Sequence, residues 1–366
     1  LTAHHPGTPG QITRRLLAWY DRHQRAFPFR GTREPYRVWL SEIMLQQTRT
    51  ETVGPYYECF LALFPDVHAL ARASEQEVLK AWEGLGYYNR ARNLHKAARL
   101  VAGELQGIFP TTSAKLRQLP GVGPYAAAAI ASIAYDEPVP AMDGNLNRVI
   151  SRLFLVEEDI GTPSVRRQLY DLGLSLMPAR RAGDMNQALM DLGATICLPG
   201  TPDCARCPLQ ADCKSFQEGD PASLPVMQAK RPPRQVDVAV CLLFCDGKVL
   251  LVRRQEALLR GLYVFLLHEG DAGPAAALMR VRRFAPRNIF VEEVGAARHV
   301  FTHRVWNMRI YVARATACLP VKDGVWADLE TLASLPLPVA MRAAKQAARQ
   351  VLMEEAGGLR IDKAAE

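Results

Sequence analysis

The sequence predicts a multidomain protein: an all-α part over residues 1–216, a linker at 217–234, and an α+β part over residues 235–366. Three observations predict this. Apolar residues recur at helical spacing through the first part. A stretch rich in Pro and Gly follows, after which the period switches to two. The length of 366 residues suggests two domains at about 150 residues each.

Composition narrows the class. Hydrophobic residues make up 49% and charged residues 22%, which argues against a disordered chain. The longest apolar runs are short, such as Ala239 to Phe244, and a membrane-spanning helix needs about 20 residues. Leu1 to Gly10 has no apolar core segment, so no secretory signal is expected and a soluble, cytoplasmic protein is. The net charge of +8 divides into +3 for residues 1–216 and +5 for the rest. Neither part is a polycation, so nucleic-acid binding has to rest on local features.

In the first part, Ile12, Leu16 and Tyr20 share a helical face, as do Leu94, Ala98, Val101 and Leu105. Ser74 with Glu77 spells a capping box before Val78, Leu79 and Trp82. Thr162-Pro163 opens a helix over Val165 to Met177. In the linker, Gly219, Pro221, Pro225, Pro232 and Pro233 accompany few large apolar groups. Beyond it, Val236 to Phe244 and Lys248 to Arg254 read as strands flanking the turn Cys245-Asp246-Gly247. Trp306, Met308, Ile310 and Val312 alternate as in a strand, and Val339 to Glu355 reads as a closing amphipathic helix.

Four of the eight cysteines cluster: Cys197, Cys204, Cys207 and Cys213, with gaps of six, two and five residues. Four thiolates within 17 residues suit a tetrahedral sulfur site, iron–sulfur or zinc. Structural zinc sites usually come as two tight pairs, whereas here one pair stands with two outliers. Cys59, Cys241, Cys245 and Cys318 read as small core residues.

Leu119-Pro120-Gly121-Val122-Gly123-Pro124-Tyr125 runs into the small-residue helix Ala126 to Ala134, after a short helix at Ser113 to Gln118. Alternate glycines let backbone amides converge, and the helix N-terminus adds positive potential. This helix-hairpin-helix makes a phosphate cradle without a basic side chain; a plain tight turn is its ordinary alternative. Gly84-Leu85-Gly86 before Tyr87 and Tyr88 is a second loop able to approach a nucleic-acid backbone.

Two carboxyls complete the set. Glu42 lies in the apolar helix Trp39 to Thr48; buried there its pKa would rise, though it could equally face solvent. Asp143, in Met142-Asp143-Gly144-Asn145, begins a helix whose dipole favours its anion; a simple N-cap is its ordinary role. Environments that push two carboxyl pKa values apart supply one acid and one base or nucleophile.

Together and in this order, these motifs resemble the endonuclease III superfamily of helix-hairpin-helix DNA glycosylases, and within it the adenine DNA glycosylase (MutY-type) family. The likeness spans essentially the full length. It implies a glycosylase domain with a 4Fe–4S cluster on the four cysteines, followed by a Nudix-like domain that senses 8-oxoguanine. It implies duplex DNA bearing 8-oxoguanine·adenine or G·A mispairs as the partner, with the protein acting as a monomer. Glu42 is the implied general acid, and Asp143 stabilises or captures the oxocarbenium with Asn145 and Tyr125 positioning it. Gln47 and Tyr87, with Leu45 nearby, help fill the vacated base stack, and Gly121, Val122 and Gly123 hold the backbone. Arg30, in Pro28-Phe29-Arg30-Gly31, matches an arginine near the catalytic acid, or else contacts phosphate on the surface. Phe301-Thr302-His303 matches a Phe-Ser-His recognition loop; threonine keeps the hydroxyl and adds a methyl.

Tyr125 stands where lyase members carry a lysine whose amine forms a Schiff base, so base excision without strand cleavage is implied. Between Gly261 and Arg287 the only acids are Glu269 and Asp271, too few for a Nudix hydrolase box. The competing readings are a mismatch glycosylase of different base preference and a non-catalytic, damage-sensing DNA binder.

Overall fold

A computed structural model describes residues 7–228, 232–285 and 289–362. It resolves into two units, one of Leu1–Ala73 with Asn89–Ala229 and one of Ser74–Tyr88 with Lys230–Glu366. No strand is present among the described residues of the first unit, as its periodicity predicts. Its helices are α1 (Pro9–His23), α2 (Pro35–Leu45), α3 (Thr50–Leu63) and α4 (Val67–Arg72), then, after the excursion that contains α5 (Glu75–Ala81), α6 (Asn89–Gly103), α7 (Ser113–Leu116), α8 (Pro124–Tyr135), α9 (Gly144–Phe154), α10 (Pro163–Ser175), α11 (Ala182–Thr195) and α12 (Lys214–Glu218).

One core of this unit gathers α1, α9, α10 and α11. Ile12, Leu16, Trp19 and Tyr20 of α1 meet Leu146, Val149, Ile150 and Leu153 of α9 and Met185, Leu189 and Leu192 of α11. The i, i+3, i+4 spacing that puts such residues on one helix face is what drives the assembly. Helix α2 differs: Tyr36 and Val38 through Met44 are all buried, so Glu42 is carried into the interior by its apolar neighbours. Helix α10 starts at Pro163 as the Thr-Pro pair predicts, but Thr162 makes no side-chain cap bond, and the helix ends at Ser175 rather than Met177. Part of the expected linker is packed: the Leu224 side chain is buried, its carbonyl accepts from Arg152 Nε (3.0 Å), and the Val226 carbonyl accepts from Ile160 N (3.1 Å).

In the second unit, α5 opens with the expected capping box: Ser74 Oγ accepts from Glu77 N (3.2 Å) and the Glu77 carboxylate accepts from Ser74 N (2.7 Å). The rest is a sheet between two helices. The strands are β1 (Arg234–Cys245), β2 (Lys248–Arg253), β3 (Tyr263–Val264), β4 (Leu266–Glu269), β5 (Glu292–Val300), β6 (Arg304–Arg314) and β7 (Gly324–Ala327), with α13 (Pro274–Arg282) before β5, and α14 (Leu329–Ser334) and α15 (Arg342–Asp362) after β7. The order is β3-β2-β1-β6-β5; β4 pairs β1 and β7 pairs β2, and only β1 with β6 runs parallel. The β1–β2 turn is Asp246-Gly247, both at positive φ (45° and 66°), as a two-residue hairpin requires.

Alternation sorts the two faces. Val238, Val240, Leu242 and Phe244 join Trp306, Met308, Ile310 and Val312 under α15. Ala239, Cys241, Leu243 and Tyr311 face α13 through Ala277 and Val281. Two fully apolar faces explain why β1 reads as a continuous hydrophobic run.

Two cysteine expectations fail here. Cys245 and Cys318 are not independent core residues: they form a disulfide with Cα atoms 5.6 Å apart. Parallel pairing of β1 with β6 (Phe244 opposite Arg314) brings the strand ends together across 73 residues of sequence, a proximity that spacing cannot reveal. Cys59 is exposed on α3, whereas Cys241 is buried as expected.

Candidate active site

The site is assembled by three elements of the first unit and the loop before α2. Glu42 comes from α2, Tyr125 from the first turn of α8, and Asp143 is the N-cap of α9. All three line a pocket of about 210 Å³, together with Arg30, Leu45, Asn145, Gln187 and Met190. The Tyr125 hydroxyl donates to Glu42 Oε2 at 3.0 Å. Asp143 Oδ1 accepts from Leu146 N (2.7 Å) and Oδ2 from Asn145 Nδ2 (2.9 Å). Asn145 is fixed in turn, its Oδ1 accepting from Arg148 (2.9 Å), which also donates to the Gly193 and Cys197 carbonyls (2.8 Å each).

Burial pushes the Glu42 carboxyl up to about 7, against the smaller opposing pulls of the Tyr125 hydrogen bond and the Arg30 charge. Ionising it there costs about 3 kcal/mol more than in water. Burial raises Asp143 too, but the amide of Leu146 and the side chain of Asn145 counteract it. Burial and the neighbouring carboxyls hold Tyr125 well above its ordinary value, so it remains a neutral hydroxyl. The pocket therefore presents one carboxyl that keeps its proton near neutrality and a second held by donors that favour its anion. Such a pair can protonate one side of a bond while stabilising positive charge on the other.

The hairpin lies where α7 gives way to α8. Gly121 sits at φ 79°, and a Cβ there would come within 2.7 Å of the Asn93 Cβ, so only glycine fits. Gly123 is the N-cap of α8, Val122 is buried beneath the turn, and Val122 N donates to Leu119 O at 3.1 Å. Gln47 follows α2, exposed and at φ 59°. Leu85 and Tyr87 belong to the segment grouped with the second unit. There, Tyr87 Oη lies 3.2 Å from Thr302 Oγ1, and Tyr88 donates to the Leu337 carbonyl (3.3 Å). Thr302 and His303 are exposed at the β5–β6 turn, and Phe301 packs edge-on against Trp306, their ring centroids 5.0 Å apart. The structure thus brings Glu42, Tyr125, Asp143, Asn145, Leu45 and Arg30 into one pocket and gathers Tyr87 with Thr302 elsewhere.

Cys197, Cys204, Cys207 and Cys213 line a single small pocket, with Arg152 beside them. Arg152 is almost wholly buried; it lies 3.4 Å from Cys197 Sγ and donates to the Leu198 carbonyl (2.7 Å). A buried guanidinium is a natural counter-charge for thiolates.

Several pocket residues escaped the sequence reading. Arg25, Gln187 and Met190 line the pocket, and Asp191 is buried behind it. The available signal was the spacing of Gln187 and Asp191, and of Arg148 and Arg152, four residues apart on single helices.

Comparison with known proteins bears on the class. The profile of the HhH-GPD superfamily base excision DNA repair protein matches residues 40–173, and that of a NUDIX domain matches residues 239–347. The fold and site thus define a helix-hairpin-helix base excision repair protein with a Nudix-type second domain. The adenine DNA glycosylase of Mus musculus is 34% identical, over 89% of this chain and 76% of that protein. That of Rattus norvegicus is 36% identical, over 81% and 69%. Among solved structures, a thermostable thymine-DNA glycosylase aligns with TM-score 0.51 and 28% identity, over 57% of this chain and 97% of that one. The chain belongs to the adenine DNA glycosylase family, and it is a DNA glycosylase of base excision repair.

No helix among the described residues is long and apolar enough to cross a membrane.

Proposed function

We propose that the chain removes adenine mispaired with 8-oxoguanine, or with guanine, from duplex DNA and leaves the strand intact. The observation that carries this is the buried Glu42, bonded to Tyr125 and facing the same pocket as Asp143. Adenine leaves poorly as an anion. A flipped adenine would take the Glu42 proton as its bond to the sugar breaks, so that it departs neutral. The electron-deficient sugar that remains is stabilised or captured by the Asp143 carboxylate, which Asn145 and the Leu146 amide orient; water completes the hydrolysis. Tyr125 supports the acid and offers no amine for an imine. The exposed glycines of the 121–123 hairpin suit close approach of a phosphate backbone. Leu45 and Gln47 at the end of α2 suit the gap left by the extruded base. Thr302, hydrogen-bonded to Tyr87, supports a reading role for the exposed 301–303 turn toward the opposite base.

The four clustered cysteines are proposed to hold a 4Fe–4S cluster. The four line one small pocket, their one pair with two outliers departs from the two tight pairs usual for structural zinc, and the Arg152 charge fits an anionic centre. When bound it supplies a structural cross-link between the end of α11 and the loops to α12.

The test is a gel assay of base release and strand cleavage on duplexes with adenine opposite 8-oxoguanine, guanine, cytosine or thymine. Release opposite the first two without cleavage is expected, and equal release opposite all four contradicts the reading. In the same assay Tyr125→Lys is expected to gain cleavage and a borohydride-trapped adduct; no adduct means position 125 does not face the sugar.

A further inference from the structure

Behind the pocket wall lies a charge cluster that the proposed chemistry leaves unused. Asp191 of α11 is fully buried and accepts from two arginines. Arg30 grips it with both terminal nitrogens (2.9 and 3.2 Å), and Arg25 donates from its side chain (2.8 Å) and its backbone (3.2 Å). Arg30 also donates to the Tyr20 hydroxyl (2.8 Å), which donates to Gln187 (2.6 Å). Arg25, Arg30 and Gln187 reach the same pocket as Glu42. Two guanidinium groups and one carboxylate leave this wall with a net charge of +1.

We propose that Asp191 is a positioning residue that sets the protonation of Glu42 from behind: it clamps Arg30 and Arg25 on the pocket wall and cancels one of their two charges. The proposal rests on Glu42 acting as the acid. The groups facing Glu42 are Tyr125 from α8, Asp143 at the start of α9 and Arg30 from the loop before α2. Those facing Asp191 are Arg25, Arg30 and, through Arg30, Tyr20 of α1. Of these, the arginine pair is the part whose net charge one substitution alters without touching a reacting group. The Arg30 charge already pulls Glu42 toward ionisation. An uncompensated second positive charge would pull harder, and Glu42 would lose its proton at a lower pH.

The experiment is single-turnover release of adenine from a synthetic duplex, adenine opposite 8-oxoguanine, measured across pH with the full chain. In the unsubstituted protein the rate should fall on the alkaline side as Glu42 ionises. Asp191→Asn raises the wall to +2 and should move that limb down by about one pH unit. Arg25→Gln, at a half-exposed position, lowers the wall to zero and should move the limb upward. The double variant Asp191→Asn/Arg30→Gln returns the wall to +1 and should bring the limb back toward its original position. A purely structural role predicts slower release at every pH with the limb unmoved in all three variants, and that result overturns the proposal. Should Asp191→Asn not fold, the opposite shift in Arg25→Gln still decides it, and an unmoved limb there is the contrary result. An unsubstituted protein with no alkaline limb, or a fully active Glu42→Gln, overturns the acid reading itself and this proposal with it.

Discussion

The Glu42 pocket and the 301–303 turn are built on opposite principles. Every functional group of the pocket is held by something else. Glu42 is bonded by Tyr125, Asp143 by Asn145 and a backbone amide, and Asn145 by Arg148. Burial then moves both carboxyls above their ordinary range. At the turn, Thr302 and His303 are exposed, Thr302 meeting the Tyr87 hydroxyl at 3.2 Å, and Phe301 is anchored on His299 and Trp306. The difference teaches what each region can do. A buried, cross-braced pocket changes proton affinities and suits bond cleavage. Exposed side chains on a rigid sheet change nothing until a partner arrives, and they suit discrimination.

This contrast can be broken at several points. The largest effect is expected from Glu42→Gln, which keeps the shape of the site and removes the transferable proton. Adenine release should fall by about 100- to 10,000-fold while binding of the mispaired duplex stays near its original affinity. A parallel loss of affinity would mean that Glu42 holds the fold or the DNA rather than the proton. A smaller, structural effect is expected from Cys207→Ser. The purified protein should lose its visible colour and melt at a lower temperature, because a ligand of the proposed centre is gone. Unchanged colour and melting would remove Cys207 from the ligand set. The smallest effect belongs to the turn: Thr302→Ala should cost about fivefold, near 1 kcal/mol, in preference for 8-oxoguanine over guanine opposite adenine, with the rate on the guanine mispair unaltered. An equal loss on both duplexes would place the defect in chemistry rather than reading.

Local features were legible in the sequence and long-range ones were not. The Ser74–Glu77 box, the Asp246-Gly247 turn and the two faces of β6 are set by residues a few positions apart, and each formed as its pattern predicts. Glu42 could be singled out as an acid among apolar neighbours, but not its burial, which depends on α8 packing over α2. The Cys245–Cys318 bond was invisible because it follows from strand pairing. The Arg25–Asp191–Arg30 cluster was invisible for the same reason. Its parts lie more than 160 residues apart, and only the packing of α11 beside the loop before α2 unites them. Asn145 and Tyr125 were legible beside the carboxyls they hold, whereas nothing local marks Arg25 or Asp191.

Burial keeps a proton on Glu42 near neutrality, and the proposed chemistry uses that proton. The pH dependence of single-turnover adenine release measures that use. With Glu42 held at about 7, the protonated fraction, and hence the rate, should be full well below that value and fall tenfold per pH unit well above it. A rate that stays flat from pH 6 to about pH 9 would contradict the account, because Glu42 would then have lost its proton without consequence.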